Sequence, residues 1–281
     1  MKLKKIATFA LTAILTGILF TGCGQESKTE NAVQVNEKKL GMISKMNVSE
    51  TQYNGFLKNY EARAGITLSH QIIFYDDLNS MQLGLQSKSI DEMSLYSCVG
   101  NYLVSKDSKT EIVKDNAADL TDSFCFAIRK EDSELKYSFD GAIKSMKDDG
   151  TLDNLIKTYI TDLKEDPPAV NIENISGADT IKVGITGDLP PLDLILADGT
   201  PAGFNTAVLS EISKRIGKNI ELVQIESGAR AAALTSKKID VIFWAIVPSN
   251  EILPSDIDKP AGVEMTSAYY RDNVVHIELK K

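Results

Sequence analysis

The stretch Thr180-Ile-Lys-Val-Gly-Ile-Thr-Gly-Asp-Leu-Pro-Pro-Leu192 opens the part of the chain from which the fold is read. Ile181, Val183 and Ile185 alternate with Lys182 and Gly184 in the period-two pattern of a strand, and Gly187 to Pro191 end it. Gly199-Thr-Pro-Ala-Gly-Phe-Asn205 leads into a helix expected to be capped by Asn205 or Thr206. Leu209, Ile212 and Ile216 give that helix its apolar face, and Gly217 stands where a C-terminal cap belongs. A strand over 220–225, an Ala-rich helix over 227–234 and a strand over 240–244 follow. Such a β-α-β-α-β run with short connections predicts a parallel sheet covered by helices. Ligands of these sheets bind at the carboxyl ends of the strands, here the 187–191 loop, the 226–230 turn and residues 244–251.

Upstream, residues 38–121 read as a second α/β unit. A strand over 39–44 precedes the capping box Ser49-x-x-Gln52 and a helix with Tyr53, Phe56, Leu57 and Tyr60 on one face, ending at Gly65. A strand over 70–75, a helix from Asp77 with Leu78, Met81 and Leu85 inward, and a strand ending at Tyr96 complete it. Residues 122–163 hold a strand, 122–132, and two helices, the first lined by Leu135, Phe139, Ile143 and Met146, the second by Leu152, Leu155, Ile156 and Tyr159. The Pro-rich, aperiodic segment 164–179 reads as a linker, and residues 180–281 as the unit described first, closed by a strand in the last 15 residues.

The N-terminus has its own signature. Lys2, Lys4 and Lys5, the apolar run Ile6–Phe20 and the small residues before Cys23 describe an export signal over 1–22. Its apolar run is short for a membrane span. Phe20-Thr-Gly-Cys23 resembles a bacterial lipoprotein box, which implies lipidation of Cys23 and a membrane anchor; residues 23–37 read as a flexible tether. Removing the signal moves the formal charge from −8 to about −11. An acidic chain without clustered Lys and Arg excludes nucleic acid as an expected partner.

Gly187-Asp-Leu-Pro-Pro-Leu192, Gly203-Phe-Asn205 and Ala233-Leu-Thr-Ser-Lys-Lys-Ile-Asp240 together resemble the extracytoplasmic solute-binding proteins of ABC transporters, in their amino-acid branch, over about 60 residues. Lys147-Asp-Asp-Gly-Thr-Leu-Asp-Asn-Leu-Ile156 resembles that family's C-terminal signature, yet it lies mid-chain. The resemblance implies a two-lobed, type II periplasmic-binding-protein-like α/β fold with two hinge strands. It also implies a circular permutation: lobe two at 38–121, a returning hinge strand and helices at 122–163, the joined termini at 164–179, lobe one and the outgoing strand at 180–281. Two tandem truncated copies are the alternative, although no convincing internal repeat is found. The implied function is capture of a small molecule for an ABC permease, by a monomer without cofactor; a ligand sensor or vestigial binding module without transport is the alternative.

The family's amino-acid contacts are missing from their places. Its Arg position falls on Ile252, a Thr position on Val247, its lobe-two carboxylate on Tyr96, and its Gly-Thr loop on Lys45-Met-Asn-Val48; the aromatic after Pro-Pro is Leu192. A zwitterion needs both charges paired when buried, so a less charged or aromatic ligand is expected. Trp244 would form one wall of the cleft and Tyr96 the other. The candidate ligand residues are Lys45, Asn47, Tyr96, Asp188, Leu189, Leu192, Arg230, Trp244, Ala245 and Ser249. Against them stands the reading that Trp244 and Tyr96 fill an empty cleft, that Arg230 is solvated, and that Asp188 and Glu251 are surface acids. Cys98 and Cys125 either pair or remain buried thiols. His70 and His276 lie far apart with no Cys/His/acid cluster around them, so no metal site is expected. No catalytic motif is present; an enzyme on this fold would have only Glu251 or Asp188 as general acid.

Overall fold

A computed structural model of the chain describes residues 37–113, 120–249 and 252–281. The export signal, Cys23, nearly all of the tether and Glu251 lie outside them. Among the described residues no helix is long and apolar enough to cross a membrane.

β1 (Lys38–Ile43), α1 (Glu50–Ala64), β2 (His70–Tyr75), α2 (Leu78–Gln86), β3 (Glu92–Tyr96) and α3 (Ser97–Lys106) come first, with β1 parallel to both β2 and β3. Ser49 and Gln52 form the capping box, and Gly65 closes α1 in the left-handed region at φ 66°. Leu78, Met81 and Leu85 bury one face of α2 as expected. On α1 the expected apolar face is only partly used: Tyr53 is buried, but Phe56 stays 38% exposed. The helix packs on β2, the edge strand, and has sheet beneath only part of its width.

β4 (Thr110–Ile112), β5 (Thr121–Arg129), α4 (Ser133–Asp148) and α5 (Thr151–Ile156) follow, α5 continuing as a π turn over 157–161. Phe139, Ile143 and Met146 are fully buried, and the Phe139 ring meets Phe126 edge-on at 5.2 Å. The 164–179 segment lies against the body: Val170 is buried and its N–H donates to the Pro201 carbonyl at 2.8 Å.

β6 (Thr180–Ile185) precedes a small sheet of β7 (Asp188–Leu189), β8 (Asp193–Ile195) and β9 (Pro201–Ala202), strands too short to show a period in sequence. α6 (Phe204–Ile216), β10 (Asn219–Gln224), α7 (Arg230–Thr235), β11 (Val241–Pro248), β12 (Val263–Met265) and β13 (Tyr270–Leu279) complete the chain. Gly203, not Asn205 or Thr206, caps α6. At φ 102° a side chain there would sit 2.7 Å from the Leu192 carbonyl. Asn205 turns inward to accept from the Tyr269 hydroxyl (3.0 Å), and Thr206 donates to the Ala202 carbonyl (3.1 Å).

The main sheet runs β10-β6-β11-β5-β13-β3-β1-β2, so the fold is the expected mixed α/β type. β13 joins its two sections. Tyr270 to Asn273 pair antiparallel with Phe124 to Thr121, whereas Val274 to Ile277 pair antiparallel with Tyr96 to Met93.

Asp193, unmarked by any motif, is fully buried under the 186–188 turn. One carboxylate oxygen accepts from the Thr186 N–H (3.0 Å), the Thr186 hydroxyl (3.0 Å) and the Gly187 N–H (2.9 Å), while the other has no partner. Burial outweighs those bonds and pushes its pKa up to about 6. An acid with a raised folded pKa costs stability once ionised, so its contribution falls as pH climbs from about 4 to about 6. Asp193→Asn should remove that slope, gaining about 3 kcal/mol at pH 7 relative to pH 4 when both proteins are followed by urea unfolding. Phe126→Ala, which removes a fully buried ring packed between Phe139 and Tyr269, should cost about 3–5 kcal/mol in the same assay.

Candidate functional site

The loops at the carboxyl ends of β1 and β2 meet those of β6 and β10. Asp188 accepts from the Leu78 N–H at 2.8 Å, the Ser227 N–H points at the Asp76 carbonyl at 3.4 Å, and a side chain on Gly228 would lie 2.9 Å from the Asp76 carboxylate. Asp188 therefore joins the turn after β6 to the start of α2 and is not a free surface acid; burial lifts its pKa against the opposing effect of the Leu78 N–H.

Arg230, a candidate ligand residue against which stood the reading of a solvated side chain, is only 2% exposed. Its Nε donates to the Ser227 carbonyl (2.9 Å), one Nη to the Trp244 carbonyl (3.4 Å) and the other to the Ser44 carbonyl just after β1 (3.2 Å). The guanidinium lies 4.8 Å above the Trp244 ring, a cation–π contact. Desolvation pulls its pKa down and the charges of Asp258, Tyr96 and Asp193 pull it back up. Among the described residues no carboxylate lies within the 4 Å of an ion pair from Arg230.

Trp244 reaches this position through a β-bulge. Between Ile242 and Ala245 the β11–β5 register shifts by one residue, and Trp244 has φ 39°. A bulky side chain with positive φ is strained, and a bulge re-aims it. Its Nε1–H is buried without a partner. Tyr96 stands edge-on to the ring at 6.3 Å and donates its hydroxyl to Asp122 at 2.9 Å.

Asp258 was not singled out in the sequence because it sits in an aperiodic loop. It is 1% exposed, and its carboxylate accepts from two successive backbone N–H groups, Met46 and Asn47, the latter at 3.2 Å. Desolvation raises its pKa, and the charges of Lys45 and Arg230 lower it. Lys45 responds in the opposite sense: desolvation lowers it, Asp258 and Asp122 raise it. Lys45, Asp258, Asp122, Arg230, Trp244 and Tyr96 thus form one polar and aromatic cluster between the two sheet sections.

Four candidates lie elsewhere. Leu189 and Leu192 are 2% and 0% exposed within the main apolar core, because the Pro-Pro turn folds them beneath the loop. Ala245 is fully buried opposite Cys125 on β5. Ser249 is exposed at the end of β11, its hydroxyl 3.3 Å from that of Ser123. Asn47 contributes its backbone, while its side-chain amide reaches the Ile257 carbonyl at 3.4 Å. Cys98 and Cys125 are buried free thiols. The two histidines, distant in sequence, meet at Glu92 at the opposite end of β3. A surface groove of about 650 Å³ lies between α1 and residues 252–254, lined by none of these residues.

A search of curated proteins gives no sequence match. Among solved structures, the ligand-binding component of an ABC-type import system from Staphylococcus aureus, with zinc bound, is 12% identical at a TM-score of 0.41, covering 86% of this chain; the chain spans only 65% of its length. The GluR0 ligand-binding core of Nostoc punctiforme, in complex with L-glutamate, is 9% identical (TM-score 0.37; 87% and 85% covered). A putative methionine-binding lipoprotein of Bacillus subtilis is 11% identical (TM-score 0.40; 86% and 83%). Likenesses this distant carry no argument about the ligand. The sequence match falls on the stretch containing β6, α6, β10, α7 and β11: residues 181–251 match the family of bacterial extracellular solute-binding proteins, family 3.

Proposed function

We propose that the chain is an extracytoplasmic solute-binding protein, anchored through a lipidated Cys23, which encloses a small polar or aromatic molecule between its lobes and passes it to an ABC permease. The observation that carries this reading is Arg230. A guanidinium has five N–H donors, and here they face three carbonyls and no ion-pairing carboxylate, beside an unpartnered indole N–H. Burying such donors is costly unless an acceptor arrives, so a ligand with a carboxylate or similar acceptor suits the site, its apolar part lying against Trp244 and Tyr96. Binding alone needs no general acid, and catalysis is no part of the reading. The element order supports a circular permutation: the family's sequence match starts at β6, late in the chain, while β13 at the end pairs with β5 from the middle.

A second reading is favoured by Asp258. Its carboxylate already occupies the Met46 and Asn47 N–H groups, as expected if the module closes on itself and has no solute. A thermal-shift screen with pools of amino acids and organic acids separates the two. The binding reading expects one pool to raise Tm by several degrees, and Arg230→Lys, which keeps the charge but loses the fork, to weaken that ligand at least about tenfold while remaining folded. No shift with wild type or with Asp258→Asn leaves the self-closed module.

A further inference from the structure

Both histidines of the chain converge on one buried carboxylate, far from the cleft. The first residues of β1, β2 and β3 are Lys38, His70 and Glu92, and His276 is on β13, so four adjacent strands each supply one side chain to the amino-terminal edge of the parallel strands. The Glu92 side chain is 2% exposed. Its Oε2 lies 3.3 Å from His70 Nε2 and 3.1 Å from His276 Nδ1, and its Oε1 accepts from the Lys38 ammonium. The three ligand-type atoms all lie within 4.8 Å of one another.

The protons decide what this arrangement can hold. His70 Nδ1 is 2.7 Å from the Leu68 carbonyl, which only accepts, so Nδ1 carries the hydrogen. A neutral His70 then turns a bare lone pair on Nε2 toward Glu92. Opposite it, the Glu92 carboxylate, which accepts from the Lys38 ammonium through Oε1, presents Oε2. Two acceptors therefore face each other at 3.3 Å, an arrangement that attracts a cation. A backbone carbonyl on the far ring nitrogen is also how metal-binding histidines are oriented. For bonds of about 2.0–2.1 Å, tetrahedral geometry puts neighbouring ligand atoms about 3.3 Å apart, close to the two spacings from Glu92.

We propose that His70, Glu92 and His276 form a binding site for a divalent transition ion of the zinc or cobalt type, with a fourth position open to solvent beside Lys38. Two imidazoles and one carboxylate favour such ions over calcium or magnesium, which prefer oxygen ligands throughout. The path in runs past His70, whose side chain is 24% exposed, and Lys38, at 48%. Lys38, which also lies 3.9 Å from Glu278, acts as a competing cation on the same carboxylate.

The test is calorimetric titration of tag-free, chelator-treated protein with zinc at pH 7.5, and titration with cobalt followed by visible absorption. The site expects one zinc per chain and the intense bands of four-coordinate cobalt. His70→Gln and His276→Gln should each weaken binding at least about tenfold while the far-UV spectrum stays native. Lys38→Met, at a half-exposed position that the fold tolerates, should tighten zinc severalfold, an effect that a purely structural ion pair would not produce. Absence of zinc binding, unchanged affinity in the histidine variants, or no gain in Lys38→Met overturns the proposal. None of these measurements touches Arg230, so they stand apart from the solute screen.

Discussion

Everything else in this molecule hangs on the way β13 shares its backbone. Its first half satisfies the open edge of β5 and its second half the open edge of β3, so one strand makes two separate sheet sections continuous. Phe124 sits at the junction. Its ring lies 4.6 Å from Tyr96 on one side, and 6.4 Å from Trp244 and 5.4 Å from Tyr270 on the others. The aromatic hub is thus assembled from both sections and from the strand that joins them, and neither section can bury it alone.

That hub holds charges that would otherwise stay in water. Arg230, Asp258, Lys45 and Asp122 lie within a region lined by aromatic rings, where Asp258 acts on Arg230 and Lys45, Asp122 acts on Lys45, and Arg230 and Lys45 act back on Asp258, yet with no ion pair between Arg230 and either acid. Desolvation is the largest influence on Arg230, Asp258 and Lys45 alike, so the cluster opposes closure even as the surrounding apolar contacts favour it. A fold specified for stability alone would place hydrophobic residues there. Trp244, held at positive φ by a bulge, points the same way: strain is kept where geometry matters more than stability.

The elements were legible because their signals are local. Alternation marked β6, the Ser49 and Gln52 pair marked the start of α1, and Gly65 and Gly217 marked the ends of α1 and α6. The family stretch at 181–251 was readable for the same reason, being a run of contiguous motifs. The site was less legible, because burial in a turn depends on what the rest of the chain brings to it. Arg230 looks like a solvated residue until Ser44 and Trp244 close over it, and Leu192 looks like a cleft residue until the Pro-Pro turn folds it under. Asp258 and Asp193 belong to no periodic pattern. The meeting of His70, Glu92 and His276 depends on strand order alone, which residue spacing does not encode.

The hold of Asp258 on the Met46 and Asn47 amides has a consequence for selectivity by abundance. A carboxylate fixed to the same chain acts as a built-in rival present at high effective concentration, and any visitor seeking those two amides must first displace it. For such a visitor, the affinity would be the intrinsic one multiplied by the fraction of molecules in which the loop has let go. If the chain takes a solute as proposed, this contact favours plentiful solutes over scarce ones, and loosening the 252–259 loop would retune that threshold without altering a single contact to the guest.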